Sequence, residues 1–515
     1  MYLTQGLHRA VQQRPDAIAT VCAGRVRTHA ESVDRIARLA TVLGELGIRN
    51  GERAAILGLN SDRYHEFLAA TLWAGGVVVP VNLRWSVTEI ADSLAEVDAR
   101  VLVVDDAFAG HAAGIREQYP RLEHVLHAGD GPSLDGALGF ERLIAGHQPA
   151  EDARRGGDDL AAVFYTGGTT GRSKGVMLSH LSLMTSALGT LASEHFVSAD
   201  GVYLHAAPMF HLADLAMWVG QIVRGGQHVV IPGFEPVAVM TAVQEHSVTD
   251  ILLVPTMIQL VVDHARIDEF DLTSVRRVIY AASPMSKGVL DRAMKALPNA
   301  QFTQLYGMTE LSPVATVLTP ADHENPVRCR SAGRAAPHAE VRVVGPDDTA
   351  LPRGQVGEIV VRGAHVMLGY WDRPAETAEA LRGGWMHTGD GGYMDEAGYV
   401  YLADRIKDMI ITGGENVYSI EVENVLCQHP AVATAAVIGV PDNTWGERVH
   451  AVIVPAAGQT VTLDELAAFC KERIAGYKTP RSLELVEALP LSAAGKVLKR
   501  ELRRPYWEGQ ERAVH

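Results

Sequence analysis

The sequence predicts an α/β protein: a large N-terminal domain of mixed or parallel sheets covered by helices, followed by a small α+β C-terminal domain. With 515 residues, 47% of them hydrophobic, the chain exceeds what one ordinary core accommodates. Through the first two-thirds, short apolar runs of β-rich composition alternate with helical patterns, which favours parallel strands covered by helices. After the turn at 395–398 the pattern changes to a compact mixture of strands and helices.

The N-terminal part begins with a regular succession of strand and helix patterns. Ser86 and Glu89 have capping-box spacing, so we expect a helix to start there. The predicted elements are a buried strand at 54–59, an amphipathic helix at 64–74, a strand at 77–81, the helix after Ser86, a strand at 101–104, and surface loops at 130–139 and 146–159.

The C-terminal part is predicted to contain strands at 434–440 and 449–454 and helices at 421–428 and 463–474. Thr462 and Glu465 again have capping-box spacing. We place the domain boundary just after the turn at 395–398. The division is therefore an N-terminal domain at 1–403, a hinge at 404–407 and a C-terminal domain at 408–515.

Composition excludes several classes of protein. Lys and Arg total 46 and Asp and Glu total 61, and the resulting net charge of -15 argues against nucleic-acid binding. The four cysteines form no CxxC pair, which argues against a zinc site or a disulfide framework. The N-terminus lacks an apolar signal core, and the most apolar run, 251–262, is too short to span a membrane. We therefore expect no transmembrane segment and a cytoplasmic location.

The most informative segment is 165–175, which follows an apolar strand candidate at 160–164 and reads YTGGTTGRSKG. Glycines let backbone N–H groups turn toward an anion, threonine hydroxyls add donors, and Arg172 and Lys174 add positive charge. The segment is not a Walker A loop, because Ser173 precedes Lys174 and Gly175 follows it. The pattern predicts a polyphosphate-binding turn, and the alternative is an ordinary flexible turn.

This segment resembles the signature of the adenylate-forming superfamily, and the chain resembles its acyl-CoA synthetases and fatty-acid–CoA ligases. The usual form is YTSGTTGxPKG, from which the chain departs at Gly167 and Ser173. The resemblance implies that the turn binds the phosphates of ATP and that Thr166 also belongs to the catalytic set. The positions it assigns to nucleotide binding are Thr166, Gly167, Gly168, Thr169, Thr170, Gly171 and Lys174.

A second motif, QLYGMTE at 304–310, resembles the family's YGxTE segment. The resemblance implies that Tyr306 and Gly307 lie near adenine, that Thr309 contacts phosphate and that Glu310 is catalytic and binds Mg²⁺. A carboxylate is a hard oxygen ligand suited to magnesium that bridges phosphates. Taken alone, the segment is equally compatible with a turn at a strand end.

Further matches follow in family order. HTGD at 387–390 resembles the segment whose aspartate, here Asp390, accepts hydrogen bonds from ribose. By the same resemblance Arg405 contacts the adenylate, Lys407 lies at the hinge of a mobile C-terminal domain, and Gly413 and Gly414 face the thioester tunnel. In isolation, DRIKD at 404–408 is typical of a solvated charge cluster.

Near the end, SAAGK at 492–496 resembles the family's catalytic-lysine loop. The resemblance implies that Lys496 bridges the attacking carboxylate and the α-phosphate, where a cation stabilises the developing negative charge. From the sequence alone, a lysine at this position is more typical of an exposed surface residue.

PMFH at 208–211 resembles a motif that precedes the acyl pocket, so His211 is predicted to orient the acid or line its passage and to be catalytic; the alternative is a hydrogen-bonded core histidine. Tyr280, Ala281 and Ala282 occupy positions that line family pockets. Asp214 could bind an ammonium group, or could form hydrogen bonds at a helix start. The apolar composition of these segments favours an apolar acid.

The sequence therefore predicts an AMP-forming acyl-CoA synthetase that uses ATP, Mg²⁺ and coenzyme A. We expect a medium- or long-chain fatty acid as its substrate, with homo-oligomer formation left open. The alternatives are an aryl acid–CoA ligase of the cinnamate or benzoate type, a stand-alone adenylation enzyme that loads a carrier protein, and a non-enzymatic nucleotide-binding regulator.

Overall fold

The computed structural model of the protein describes residues 1–132, 134–166, 173–283, 285, 287–405, 408–412, 415–442, 444–491 and 497–508, with the backbone alone at 404, 405 and 416. Among these residues the helices are α1 Gln5–Gln13, α2 His29–Glu45, α3 Asp62–Trp73, α4 Val87–Glu96, α5 Ala112–Gln118, α6 Phe140–Gly146, α7 His180–Ala192, α8 Leu212–Arg224, α9 Pro236–His246, α10 Pro255–Val262, α11 Lys287–Ala296, α12 Pro320–His323, α13 Pro374–Ala380, α14 Ser419–Leu426, α15 Leu463–Lys471 and α16 Lys499–Trp507. None of these helices is long and apolar enough to cross a membrane.

The strands within the same described ranges are β1 Ile18–Cys22, β2 Arg25–Thr28, β3 Arg53–Leu57, β4 Val77–Pro80, β5 Val101–Val104, β6 His124–His127, β7 Leu138–Gly139, β8 Leu160–Thr166, β9 Lys174–Ser179, β10 Val202–His205, β11 Gln227–Val230, β12 Asp250–Leu252, β13 Arg277–Tyr280, β14 Gln301–Tyr306, β15 Thr316–Leu318, β16 Arg334–Ala335, β17 Glu340–Val344, β18 Gly357–Arg362, β19 Gly369–Tyr370, β20 Met386–Met394, β21 Val400–Arg405, β22 Ile410–Thr412, β23 Glu415–Val417, β24 Val432–Asp442, β25 Gly446–Pro455 and β26 Ser482–Leu485.

Two large mixed sheets form the main part of the molecule, which confirms the predicted fold class. One has the order β16-β15-β14-β13-β12-β10-β11-β1-β2, with parallel pairing from β14 through β1 and antiparallel strands at both edges. The other has the order β19-β9-β8-β4-β3-β5-β6-β7, parallel from β8 through β7, with β9 and β19 antiparallel at one edge. Parallel strands at these positions follow from the intervening helices, because a parallel connection requires a crossover.

Two smaller sheets complete the fold. β17, β18, β20 and β21 form an antiparallel sheet whose residues contribute to the largest apolar core. β23, β22, β25 and β24 form another, with β26 added parallel to β25. The apolar cores of this last sheet draw only on residues from Ile410 onward. Sheet membership thus changes between Arg405 and Ile410.

Most of the helices and strands predicted from local sequence patterns lie where they were expected. The strand at 101–104 is β5, and the strands at 54–59 and 77–81 are β3 and β4. Both predicted capping boxes form, with Ser86 and Thr462 each accepting a hydrogen bond from the backbone of the glutamate three residues on. The segment at 130–139, predicted as a loop, also contains the two-residue edge strand β7. All four cysteines are free, which agrees with the predicted absence of disulfides.

The helix predicted at 64–74 is α3, but its predicted amphipathic character is wrong. Every residue of α3 is buried, so the helix has no solvent face. Four polar side chains that suggested such a face, Asp62, Arg63, His65 and Glu66, have partners from distant parts of the chain. Asp62 accepts hydrogen bonds from Arg25 and Arg27. The Trp218 indole donates to His65 Nδ1 at 2.9 Å.

Glu66 is a buried carboxylate of α3 that forms an ion pair with Arg35 of α2. Arg35 donates to both of its carboxylate oxygens, at 2.6 and 2.9 Å. We expect Glu66→Gln to lower the free energy of unfolding by about 3 kcal/mol, because it removes a buried carboxylate charge and leaves the partly buried Arg35 with Glu141 as its remaining ion-pair partner. Urea unfolding measures this. Asp34→Asn, which removes an exposed ion pair with Arg38, should cost less than about 1 kcal/mol, and equal losses in the two variants would contradict the account.

Candidate active site

The predicted phosphate-binding turn is closed by a β-hairpin. β8 and β9 are antiparallel, and Thr166 at the end of one strand pairs with Lys174 at the start of the other. Gly175 lets the neighbouring chain approach, since a Cβ there would lie 2.9 Å from a Val163 methyl and 3.3 Å from Trp371 Cβ. The Trp371 N–H donates to the Gly175 carbonyl at 2.7 Å. The hairpin therefore fixes Thr166 and Lys174 on either side of the turn.

Lys174 is connected to Glu310 through Tyr370, a residue that sequence analysis missed. The Lys174 ammonium lies 4.8 Å from the centroid of the Tyr370 ring, within cation–π range. The Tyr370 hydroxyl donates to Glu310 Oε1 at 2.9 Å. Burial, together with the Glu310 charge, raises the pKa of Tyr370, so the hydroxyl remains a donor. Tyr370 pairs with Val176 across β19 and β9, a tertiary relation that no local pattern reveals.

The YGMTE segment places Tyr306 at the end of β14 and Glu310 in a short 3-10 turn at Thr309–Leu311. A Cβ on Gly307 would lie 1.9 Å from the carbonyl oxygen of Pro313, so only glycine fits this close approach. The Met367 N–H donates to the Glu310 carbonyl at 2.9 Å. Glu310 is itself buried, with 5% of its surface exposed. The strand-end turn is therefore real, and it carries the carboxylate.

Asp390 lies opposite the same segment. The Tyr306 hydroxyl donates to Asp390 Oδ2 at 2.9 Å, so two motifs 84 positions apart in the sequence meet directly. A carboxylate has about four lone-pair sites, so this bond is compatible with further donors. In β20, Asp390 is in register with Arg405 of β21.

The turn before Asp390 is held by Glu358, a second residue that sequence analysis missed. Glu358 Oε1 accepts a hydrogen bond from the Gly389 N–H at 2.9 Å, and Glu358 Oε2 lies 2.8 Å from His387 Nδ1. Gly389 has a φ of 70°, a left-handed conformation that favours glycine. Thr388 donates to the Ile359 carbonyl at 2.7 Å. Together these bonds fix the direction in which Asp390 leaves the turn.

The residues predicted to lie at the acid pocket differ in their burial and in the side chains that they contact. His211 is half-buried just before α8, and its ring lies 4.1 Å from that of Phe210, centroid to centroid. Asp214 is fully buried, accepts a hydrogen bond from the Tyr203 hydroxyl and lies 2.6 Å from His205 Nδ1. Asp214 therefore forms hydrogen bonds at a helix start, which is the alternative that we gave to ammonium binding.

The segment after β13 also contains predicted pocket residues. The Tyr280 side chain belongs to an apolar core of the first large sheet, and its hydroxyl lies 2.8 Å from His323 Nε2. Ala281 instead packs against an apolar cluster that includes Leu305, next to Tyr306. Ala282 follows with a φ of 72°. Of these positions, Ala281 is thus the one that packs against the cluster containing Leu305.

The structure joins Thr166, Lys174, Tyr306, Gly307, Thr309, Glu310 and Asp390 into one continuous region. The remaining predicted positions lie outside the described residues: Gly167, Gly168, Thr169, Thr170, Gly171, Lys407, Gly413, Gly414 and Lys496, as does the side chain of Arg405. Over the described ranges, no group of three or more His, Cys, Asp or Glu side chains could hold a metal ion. A single carboxylate at Glu310 nevertheless suits Mg²⁺, which binds through one or two carboxylates together with phosphates and retained waters.

Comparison with known proteins gives matches over nearly the whole chain. Sequence profiles described as AMP-binding enzyme and AMP-binding enzyme C-terminal domain match residues 7–371 and 421–496. A feruloyl-CoA synthase of Amycolatopsis sp is 40% identical over 503 residues, covering 97% of this chain and 98% of the relative. The fatty acid–[acyl-carrier-protein] ligase ScoC of Streptomyces coeruleorubidus is 35% identical over 514 residues, covering 98% and 96%. The crystal structure of ATP-bound MatB from Rhodopseudomonas palustris superposes with a TM-score of 0.88 at 31% identity, covering 98% of this chain and 99% of that one.

Proposed function

The chain belongs to the AMP-binding enzyme family, and from that premise we propose that it joins an aromatic carboxylic acid to coenzyme A through an acyl-adenylate. Membership confirms the resemblance to the adenylate-forming superfamily. The observation that carries the proposal is the continuous connection of Lys174, Tyr370 and Glu310 beside the contact of Tyr306 with Asp390. These groups match the parts of one nucleotide: phosphates at one end, adenine and ribose at the other.

The order of the two chemical steps follows from the absence of a good leaving group in a carboxylate. Oxide is too poor a leaving group for a thiol to displace, so the acid must first be activated. A carboxylate oxygen attacks the α-phosphorus of ATP, the bond to the β-phosphate oxygen breaks, and pyrophosphate leaves. The sulfur of coenzyme A then attacks the carbonyl carbon, its proton is lost, and AMP leaves. No covalent enzyme intermediate is needed, so catalysis depends on positioning and charge.

In the proposed complex each described residue has a defined task. Asp390 accepts hydrogen bonds from the ribose hydroxyls and Tyr306 lies against the adenine. Lys174 and the hairpin turn offset the charge of the β- and γ-phosphates. Glu310 holds Mg²⁺, which when bound neutralises phosphate charge. Tyr370 keeps Glu310 oriented through its hydroxyl and keeps Lys174 against its ring.

The choice of acid rests on the comparisons. The feruloyl-CoA synthase at 40% identity acts on an aromatic acid by its name, so we propose a phenylpropenoic acid and place the aliphatic substrates expected from the sequence second. ScoC, whose name specifies a fatty acid and a carrier protein, favours that second candidate.

A pyrophosphate-release assay tests the proposal. We expect ferulate and cinnamate to exceed octanoate, palmitate, benzoate and acetate in kcat/KM, and mass spectrometry to detect the CoA thioester. Octanoate or palmitate as the best acid would contradict the aromatic assignment. Pyrophosphate release without any thioester, followed by transfer to an acyl carrier protein, would overturn the choice of coenzyme A as acceptor.

We further propose that residues from 408 onward form a domain that turns about 404–407 between the two half-reactions. The change of sheet between Arg405 and Ile410 and the separate apolar cores support this division. Lys407→Pro, which restricts the backbone at the hinge, should spare adenylate formation and slow thioester formation. ATP–pyrophosphate exchange and thioester assays measure the two steps separately. An equal loss in both would contradict alternation about this hinge.

Tyr370→Phe separates the two contacts of Tyr370. The phenyl ring still faces Lys174, but the hydrogen bond to Glu310 is lost. A hydrogen bond to a charged group contributes about 1.5–3 kcal/mol, so we expect kcat/KM for ATP to fall about tenfold or more, with a higher requirement for Mg²⁺. Tyr393→Phe, which alters a tyrosine stacked on Tyr401, is the control and should leave kcat/KM unchanged. Equal kinetics in the two variants would contradict a role for the Tyr370 hydroxyl.

A further inference from the structure

One turn of the large domain touches the base of the segment that carries Lys496. Residues 81–86 connect β4 to α4, and Arg84 Nη1 donates to the Leu491 carbonyl at 3.2 Å. Arg84 and Leu491 are both exposed. The contact therefore lies at the surface and joins two parts of the chain that are far apart in the sequence. None of the family motifs identified in the sequence includes this arginine.

The turn that carries Arg84 is rigidly built. Asn82 Oδ1 accepts the Arg84 N–H at 3.0 Å, and the Asn82 carbonyl accepts the Trp85 N–H at 3.2 Å. On one side lies the fully buried strand β4, and on the other Ser86 caps α4. Anchored at both ends, the turn holds the Arg84 backbone in one place.

The same turn adjoins the phosphate-binding hairpin. The Trp85 ring meets the Tyr165 ring edge to face, with centroids 5.5 Å apart. Tyr165 directly precedes Thr166, and its hydroxyl donates to the Ser93 carbonyl of α4 at 2.8 Å. At the end of α4 the Glu96 carbonyl accepts the Trp371 indole N–H at 2.9 Å, one residue after Tyr370. Arg84 therefore extends from the framework that holds the hairpin and Tyr370.

The partner carbonyl lies at a defined point of the C-terminal domain. Leu491 and Val497 form an isolated antiparallel bridge, so they bring together the two ends of the segment 492–496. The Leu498 N–H donates to the Pro490 carbonyl at 2.8 Å, which extends the same closure. A donor that forms a hydrogen bond with the Leu491 carbonyl therefore holds the bridged pair Leu491 and Val497, which is the base of the segment that contains Lys496.

We propose that Arg84 is a positioning residue that docks the base of the Lys496 segment on the phosphate-binding framework during adenylate formation, and that this contact opens for thioester formation. The inference rests on the proposed function, because it assigns Arg84 to one of its two half-reactions. A guanidinium suits this role, since it makes a charge-assisted hydrogen bond to a carbonyl yet remains hydrated when the contact opens.

Arg84→Ala tests the proposal when the half-reactions are measured separately. We expect kcat for ATP–pyrophosphate exchange to fall about five- to twentyfold, the range for one partly exposed hydrogen bond to a charged group. Thioester formation from synthetic acyl-AMP and coenzyme A should remain within about twofold of wild type, as should KM for ATP. Arg84→Lys should recover part of the exchange rate, because an ammonium can still donate to the carbonyl.

Arg116→Ala is the matched control. Arg116 is also an arginine whose Nη1 donates to a carbonyl, that of Gly136 at 3.1 Å, but both groups lie in the large domain. It should leave both half-reactions unchanged. Normal exchange in Arg84→Ala, or an equal loss in both half-reactions, overturns this inference alone. Absence of exchange in the wild-type protein with every acid overturns the proposed function as well.

Discussion

Replacement of Lys496 by alanine is expected to slow formation of the acyl-adenylate by about 10³-fold, within the range known for cations that stabilise phosphoryl transition states. As the carboxylate attacks, negative charge builds on the oxygens of the α-phosphate, and a fixed ammonium stabilises it better than water does. ATP–pyrophosphate exchange measures the loss. Thioester formation from synthetic acyl-AMP should be nearly unaffected, because the phosphoryl step has already occurred.

Lys471→Ala provides the control for this variant. Lys471 is an exposed lysine at the end of α15, in the same C-terminal region, and removing it changes the net charge equally. Its exchange rate should match that of wild type. Full-speed exchange in Lys496→Ala would contradict the assignment of this lysine and, with it, the adenylation mechanism as stated.

Replacement of Glu310 by glutamine is expected to lower kcat/KM by about 10²–10³-fold, comparable to the loss of one preorganised electrostatic contact in an active site. The amide retains the shape of the side chain and can still accept from the Tyr370 hydroxyl, so the variant isolates the charge. A neutral amide is a weaker ligand for a hard cation than a carboxylate is. The Mg²⁺ concentration that gives half-maximal activity should therefore rise.

The control for Glu310→Gln is Glu379→Gln on α13, which removes an exposed carboxylate. Its Mg²⁺ titration should overlay that of wild type. If Glu310→Gln kept the wild-type Mg²⁺ dependence while losing activity, Glu310 would have a structural role and would not hold the ion.

The elements that could be predicted from sequence are those set by short-range rules. β5 is a run of four buried aliphatic residues, and α4 and α15 begin at side chains that cap them locally. α3 shows where such rules fail. Its charged residues indicate a solvent face, but arginines from a distant strand and helix pair with Asp62 and Glu66 inside the protein.

The residues of the site likewise fall into those that could be predicted from local sequence and those that could not. Tyr306, Glu310 and Asp390 were predicted because they lie in contiguous motifs, and the structure adds the direct bond between Tyr306 and Asp390. Tyr370 and Glu358 were missed, because each acts on a residue far away in the sequence. Tyr280 was predicted from its match to a position that lines family pockets, but the side of the sheet that its side chain faces depends on how β13 is paired, and it lies in an apolar core.

The central claim is that a carboxylate oxygen attacks the α-phosphorus of ATP, and isotope transfer tests it most directly. The acid is supplied with ¹⁸O in its carboxylate, together with ATP, Mg²⁺ and coenzyme A, and the products are analysed by mass spectrometry. The account predicts one ¹⁸O atom in AMP, because the oxygen that bridges carbonyl carbon and phosphorus leaves with AMP when the thiol attacks. Label in inorganic phosphate with formation of ADP, or thioester formation with unlabelled AMP, would contradict it.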